Sequence, residues 1–400
     1  MRIAYVCADP GVPVFGRKGC SVHVQEVIRA FQRHGARVEM FATRADDPPS
    51  TGLESVPIHR LPAVRDGAPG AHTIAVASFN RELAAALDRA GPYDVVYERY
   101  SLWSFAGMEY ARARGVPGLL EVNAPLIEEQ LEHRGLRDAA GATQVAARVI
   151  GAATKLVAVS EEVAAWLTRH GVTRGRVHVV PNGVDAVRFR PDVPPAAPGP
   201  PGTFTVGFVG SMKPWHGLPV LIDAFARLHG RASSHTPPPR LLLVGSGPKE
   251  AALRSELAAR GLMSAADLAG AVTPSAVPGF LTSMDVAVAP YPSSERCYFS
   301  PLKVYEYMAA GRAVVASRVR PLETLIQHDA NGLVCPPGDS AALAAALERL
   351  QHEPELRVRL GQAARSSVLA SHTWDGVAAS LLALAGSARV APAWAQPVEA

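Results

Sequence analysis

Short apolar runs rich in Val, Ile, Leu and Ala alternate along this chain with longer segments whose apolar positions recur at helical spacing. Unbroken apolar runs suit strands buried on both faces. Their alternation with helices predicts parallel sheets covered on both sides. In the first half the spacing predicts strands over 3–7, 38–42, 95–97, 118–122, 156–159 and 177–180, with helices over 22–34, 73–90, 103–114 and 161–170. Gly35, Gly115 and Gly171 stand where helix C-caps are expected.

Residues 190–202 break the pattern with a density of proline that neither a strand nor a helix tolerates, which predicts a semi-rigid linker. The alternation then restarts, with strands expected over 205–209, 241–244, 286–289, 313–316 and 333–335, and helices over 218–228, 249–260 and 302–310. Residues 233–239 read as an exposed loop, the chain after 340 as mainly helical to about 385, and 390–400 as a loose tail. The expected fold is α/β, with two doubly wound parallel-sheet domains facing a central cleft: 1–189, the linker 190–202, 203–371, a helix in 372–386 and a tail at 387–400.

Composition supports two packed cores. The chain has 400 residues, 48% of them hydrophobic and 19% charged, which excludes general disorder. A net charge of +4, with no Lys/Arg run, argues against a nucleic-acid partner. The four cysteines, Cys7, Cys20, Cys297 and Cys335, are scattered and read as reduced thiols. Asp9 and Pro10 interrupt the first apolar run too early for a signal peptide, and no apolar stretch reaches membrane-spanning length, so a cytoplasmic location is expected.

Four places carry candidate chemistry. The loop Asp9–Ser21 runs from the first strand into a helix and holds Gly16 and Gly19. It reads either as an anion cradle or as a flexible turn with Ser21 as N-cap. Lys213, after the first strand of the second half, reads as a phosphate ligand or a solvated cation. Pro301 fits the first position of a helix capped by Ser300. Glu306, one turn further in, suits a ribose diol or is an ordinary acid near a helix start. Asp9, Glu98 and Glu121 stand at strand ends, where they meet a hydroxyl-rich or cationic acceptor or pair with Arg99 or Arg17. No cluster has metal-ligand spacing.

The run Val179-Val180-Pro181-Asn182-Gly183-Val184-Asp185, with Phe189 and Pro191, resembles the signature that closes the N-terminal domain in family 4 glycosyltransferases. Phe208-Val209-Gly210-Ser211, Leu242–Pro248, Met284–Pro290 and Glu306–Ala316 resemble its C-terminal half in order and spacing. The resemblance implies a GT-B fold and metal-independent transfer with retention of configuration, from a UDP- or GDP-sugar. It also implies a last helix, over 374–384, crossing back onto the first domain. By that resemblance Glu306 holds the ribose, while Ser300, Leu302, Gly16 and Gly19 face the diphosphate. Thr273 meets the base, and Lys213, Gly245 and Lys303 join the donor site. Four positions depart from the family pattern: Ser211 and His216 replace its Arg and Lys, Tyr298 its first acid, and Asn123 its His. Lys213 and Lys303 are left to supply charge for the leaving diphosphate.

A narrower set, Asp9–Gly16, Lys18–Glu26, Glu121–Leu126 and Lys213–Gly217, is similar to bacterial transferases that glycosylate 2-deoxystreptamine in aminoglycoside antibiotic biosynthesis. The expected activity is therefore transfer of a hexose or N-acetylhexosamine from UDP-GlcNAc or UDP-glucose to a small polar acceptor, with no cofactor. Asp9, Glu98, Glu121 and Asn123 are expected to bind the acceptor, and His23, Glu121 and Asp9 are the catalytic candidates. An exopolysaccharide or lipid-linked acceptor, a nucleotide-sugar epimerase and a non-catalytic sensor are the competing readings.

Overall fold

A computed structural model describes residues 1–64, 69–133, 135–169, 171, 175–231, 236–293 and 300–388. Cys297, Tyr298, the tail after 388 and part of the 233–239 segment lie outside the described residues. The chain divides into two compact units. Residues 1–181, Ser300 and the segment from Trp374 group together; the second unit starts at Asn182 and ends at Thr373.

The first unit begins with β1 (Arg2–Cys7), α1 (Gly19–Arg33), β2 (Arg37–Ala42), β3 (Ile58–Arg60), α2 (Pro69–Ala90) and β4 (Val95–Arg99). It continues with α3 (Ala106–Arg114), β5 (Gly118–Val122), α4 (Leu126–His133), α5 (Ala139–Ala152), β6 (Lys155–Ala158), α6 (Glu161–Thr168) and β7 (Val177–Val179). Its seven strands are ordered β3-β2-β1-β4-β5-β6-β7, and every pair is parallel. The central strands are buried on both faces, as their unbroken apolar runs require. Leu120, Leu156 and Val96 pack into one core with Phe79, Leu83 and Leu87 of α2 and Met108 of α3.

The second unit contains β8 (Phe204–Val209), α7 (Leu218–Gly230), β9 (Pro239–Val244), α8 (Glu250–Ala259), β10 (Ala266–Gly270), α9 (Val277–Thr282) and β11 (Val286–Ala289). It is completed by α10 (Leu302–Ala309), β12 (Ala313–Ser317), α11 (Leu322–Leu325), β13 (Leu333–Cys335), α12 (Ser340–His352) and α13 (Pro354–Ser371). Its six strands, again all parallel, are ordered β10-β9-β8-β11-β12-β13. The last helix, α14 (Trp374–Ser387), belongs to the first unit. There it packs on α1, with Asp375 accepting a 2.7 Å bond from Arg33 and Trp374 buried against the His23 ring.

Several expectations need correction. The proline-rich stretch 190–202, expected as a semi-rigid linker between the domains, lies inside the second unit. Ala196 N–H donates to the Gly279 carbonyl at 2.8 Å, and the Ala197 carbonyl accepts from Arg240 at 2.9 Å. Gly35 and Gly115 take left-handed backbone after α1 and α3, but Gly171 does not. Ser21 is buried within α1, whose N-cap is Lys18. Pro301 is itself the N-cap of α10, with no side-chain cap, so Leu302 and not Pro301 opens that helix. The elements without a sequence expectation are β3, α4, α5, β10, α9 and α11.

Candidate active site

Strand order reverses between β1 and β4 in the first unit and between β8 and β11 in the second. At such points consecutive connections leave to opposite faces, opening a crevice beyond the carboxyl ends of the strands. The chemistry-bearing residues of each unit gather there.

In the first unit a pocket of about 240 Å³ lies between the chain after β1, Ala8 to Gly11, and the chain after β4, Ser101 to Trp103. Phe79, Leu126, Gln130 and Arg137 contribute to the remaining wall. Asp9 holds its own loop by accepting the Gly11 N–H at 2.7 Å. The Ser101 hydroxyl is buried and has no hydrogen-bond partner among the described residues. Asn80 fixes the opposite lip: its amide donates to the Trp103 carbonyl at 2.8 Å, and its oxygen accepts the Phe105 and Ala106 N–H groups.

The three acids expected to share this edge are separated by the pleat. Arg99 and Glu121 pair in register across β4 and β5, so their side chains share a face. Glu98, one residue earlier, points to the other face. There it is fully buried against Gly107, where a Cβ would lie 2.4 Å from its carboxylate. It accepts the Ser104 hydroxyl at 2.5 Å. Burial pushes its pKa up to about 7 against the opposing bonds from Ser104 and the Met108 N–H. Glu98 therefore cannot bind an acceptor, and the sequence expectation is corrected.

Glu121 is also interior. One oxygen meets His23 Nε2 at 2.7 Å; the other accepts from Asn123 Nδ2 at 3.0 Å and lies 3.5 Å from Arg99. Burial works to raise its pKa, but His23 and Arg99 outweigh it and hold it at about 2. Both His23 and Glu121 are only 3% exposed, so neither reaches a substrate as a catalytic or acceptor-binding group. They act as a buried frame for the end of β5. Asn123 is half-buried and tied to that frame, and Asp9 is the acid left beside the pocket. Gly16 sits over Pro13 and Ser21, where a Cβ would clash, and Gly19 opens α1.

In the second unit the edge between β8 and β11 is closed by backbone contact. Gly217 has φ +68°, and a Cβ there would collide with the Pro290 carbonyl. Gly245 likewise abuts the Gly210 carbonyl. Gly245 is thus explained by packing and not by a ligand. The Tyr307 hydroxyl pins α10 to β8, accepting the Val209 N–H and donating to the Val209 carbonyl, both at 2.9 Å.

That tether sets Lys303, one turn earlier on α10, under the end of β8. Its Nζ lies 4.5 Å from the Phe208 ring centroid and 5.3 Å from that of Tyr291. It is buried, with no hydrogen-bond partner among the described residues. Burial lowers its pKa to about 7, against the favourable charge of Glu306. His216 hydrogen-bonds the Ser211 carbonyl at 2.5 Å. Burial and then Lys303 depress its pKa to about 4, so the residue replacing a family cation is neutral at physiological pH. Lys213 lies 5.6 Å over the Trp215 ring, and Trp215 is half exposed. Thr273 is exposed, with its hydroxyl on Ser275 at 3.0 Å. Leu302 and Glu306 are half-buried on α10, while Ser300 groups with the first unit. Sequence reasoning missed Ser101, Trp103, Arg137 and Tyr291, whose only signal was a place just beyond a strand end or on a short loop.

These two parallel-sheet, Rossmann-like units define the GT-B class of fold. Over 97% of its length the chain superimposes on the Anabaena protein HepE in complex with UDP and glucose, covering all of it at TM-score 0.70 and 17% identity. It covers 98% of sucrose-phosphate synthase from Thermosynechococcus elongatus over 96% of its own length, at TM-score 0.71 and 22% identity.

Residues 17–188 match the model "Glycosyltransferase Family 4", and residues 203–353 match "Glycosyl transferases group 1". Together the two models take in well over half of the chain, which belongs to this glycosyltransferase family. Among sequence relatives, the D-inositol 3-phosphate glycosyltransferase of Pseudarthrobacter chlorophenolicus is 29% identical, with 86% of this chain and 85% of the relative aligned. That of Jonesia denitrificans is also 29% identical, with 98% and 97% aligned. Among the described residues no helix is long and apolar enough to cross a membrane.

Proposed function

We propose that this glycosyltransferase moves a hexose or N-acetylhexosamine from UDP-glucose or UDP-GlcNAc to a small cyclitol, with retention of configuration and in the cytoplasm. The observation that carries the reading is the furnishing of both strand-order reversals: a small pocket beside Asp9 in one unit and Lys303 in the other. Departure of UDP builds negative charge on the diphosphate, and a positioned cation stabilises it. Lys303, with Lys213 nearby, supplies that charge from the protein itself, so transfer needs no metal. Glu306 accepts the ribose hydroxyls. The acceptor ring lies against Trp103, with hydroxyls on Asp9, Ser101 and Gln130, and Asp9 is the group available to take a hydroxyl proton.

Two substituents suit this pocket. Arg137 fits a phosphate, in keeping with the inositol phosphate named for the sequence relatives. Asp9 fits an ammonium group, in keeping with 2-deoxystreptamine. The case for an ammonium is narrower than the sequence implied, because Glu98 and Glu121 are withdrawn into the interior. Calorimetric titration with UDP-glucose, UDP-GlcNAc and GDP-mannose tests the donor half. Saturable binding of a UDP-sugar is expected, and no binding at millimolar concentration overturns the reading.

A further inference from the structure

Lys303 presents an unusual combination of features. Its Nζ is buried at the reversal between β8 and β11, lies over two aromatic rings, and has no acceptor among the described residues. A charged ammonium normally requires an acceptor when it leaves water. The rings offer only their quadrupoles, which offset part of that cost.

The other groups facing it do not supply the missing partner. Glu306 on the same helix favours the charge but does not overcome burial. His216, on the turn after β8, is neutral at physiological pH and is itself disfavoured as a cation by Lys303 and Lys213. Tyr307 spends its hydroxyl on the Val209 backbone. Gly210 lets the amine lie close against its backbone: a Cβ there would lie 3.0 Å from Nζ. A buried lysine amine that lacks only an acceptor suits an anion that arrives from outside.

We infer that Lys303 stands largely as the neutral amine in the empty protein and takes up one proton when the donor diphosphate binds, so that donor binding and protonation are one coupled event. This rests on the UDP-sugar reading above and adds to it the source of the counter-charge. The balance is simple. The amine of Lys303 and a proton from solvent become the ammonium, which then hydrogen-bonds a phosphate oxygen, and no other bond changes. The empty form avoids an uncompensated buried charge, and the bound form gains a desolvated ion pair. The free amine has a pKa of about 7, so the coupling falls in the physiological range.

The test is calorimetric titration with UDP-glucose at about pH 8, in two buffers of different ionisation enthalpy, because a linked proton appears as a buffer-dependent heat. UDP-glucose is the probe because its diphosphate has no group titrating near neutrality, unlike free UDP. We expect uptake of about one proton per UDP-glucose, and affinity falling about tenfold per pH unit above 7. Lys303→Met should lose the uptake and bind at least about tenfold more weakly. Lys303→Arg, charged at every accessible pH, should bind with no uptake.

Binding of UDP-glucose by the unaltered protein with no buffer-dependent heat overturns the inference and leaves the donor reading standing. So does uptake that persists in Lys303→Met. Failure to bind UDP-glucose at all overturns both. The titration of the unaltered protein decides the question even if neither variant folds.

Discussion

His23 and Glu121, 98 residues apart in sequence, meet at 2.7 Å inside the first unit, where they join α1 to the end of β5. The edge of the same imidazole rests on Trp374 of α14, so one buried pair organises a helix, a strand and the returning C-terminal helix. Removing His23 takes one hydrogen-bond partner from the buried carboxylate and leaves it Asn123 and Arg99, at a cost of about 1–3 kcal/mol. His23→Ala should therefore lower the unfolding free energy from urea titration by that amount, with a correspondingly lower midpoint. A midpoint equal to that of the unaltered protein would show that the pair is not structural.

The same carboxylate sets an acid limit. Glu121 is held at about 2 in the folded state, below its ordinary value of 4.5. A depressed carboxylate contributes stability that is complete above the unfolded value and is lost as pH falls through the folded one. Stability should decline between about pH 4.5 and 2, and Glu121→Gln should flatten that decline in pH-dependent urea titrations.

Glu98 has the opposite sign. Its folded pKa of about 7 lies above the ordinary 4.5, so the folded protein retains a proton that the unfolded chain releases. Its contribution is complete below 4.5 and is lost as pH rises through 7. Glu98→Gln keeps the shape without the charge and should stabilise the protein above pH 7 by about 1–3 kcal/mol. Equal thermal midpoints for the two proteins at about pH 8 would contradict this.

Much of this architecture was legible in the sequence because buried parallel strands write themselves as unbroken apolar runs. β1, β5, β8 and β12 are buried throughout or nearly so and lie close to where the pattern set them. Three-residue β3 is too short to show a period, whereas α5 does carry helical spacing at Ala142, Val145, Ala146, Val149 and Ile150, a signal present in the sequence. The acids were harder. Strand ends can be read from a sequence, but the face on which each side chain falls depends on register with a neighbouring strand. The pairing of Arg99 with Glu121 put Glu98 on the far side, and no local pattern shows that. The pocket depends on strand order: Ser101 and Trp103 matter because β4 lies beside β1.

Glu306 sits one turn beyond Lys303 on α10 and is proposed to hold the ribose diol. Glu306→Ala should weaken UDP binding by about 1.5–3 kcal/mol, the value of a charge-assisted hydrogen bond. Unchanged UDP affinity by calorimetry would remove it from the donor site.

Asp9 is the acid that remains beside the pocket. Asp9→Asn should lower kcat/KM for the acceptor by about 10- to 100-fold, while the Kd for UDP-glucose stays unchanged. A fall in donor affinity of the same size would place Asp9 with the donor instead.

The most direct test of the central claim is a product screen by mass spectrometry. UDP-glucose, UDP-GlcNAc and GDP-mannose would each be incubated with inositol 3-phosphate, with 2-deoxystreptamine, and with no acceptor. The account predicts a new mass equal to one cyclitol plus one hexose or N-acetylhexosamine, formed from a UDP-sugar and only with acceptor present. Donor turnover without acceptor, or donor binding with no glycosylated cyclitol, would contradict it. The first result would point to isomerisation or hydrolysis of the donor, the second to a lipid-linked or polysaccharide acceptor.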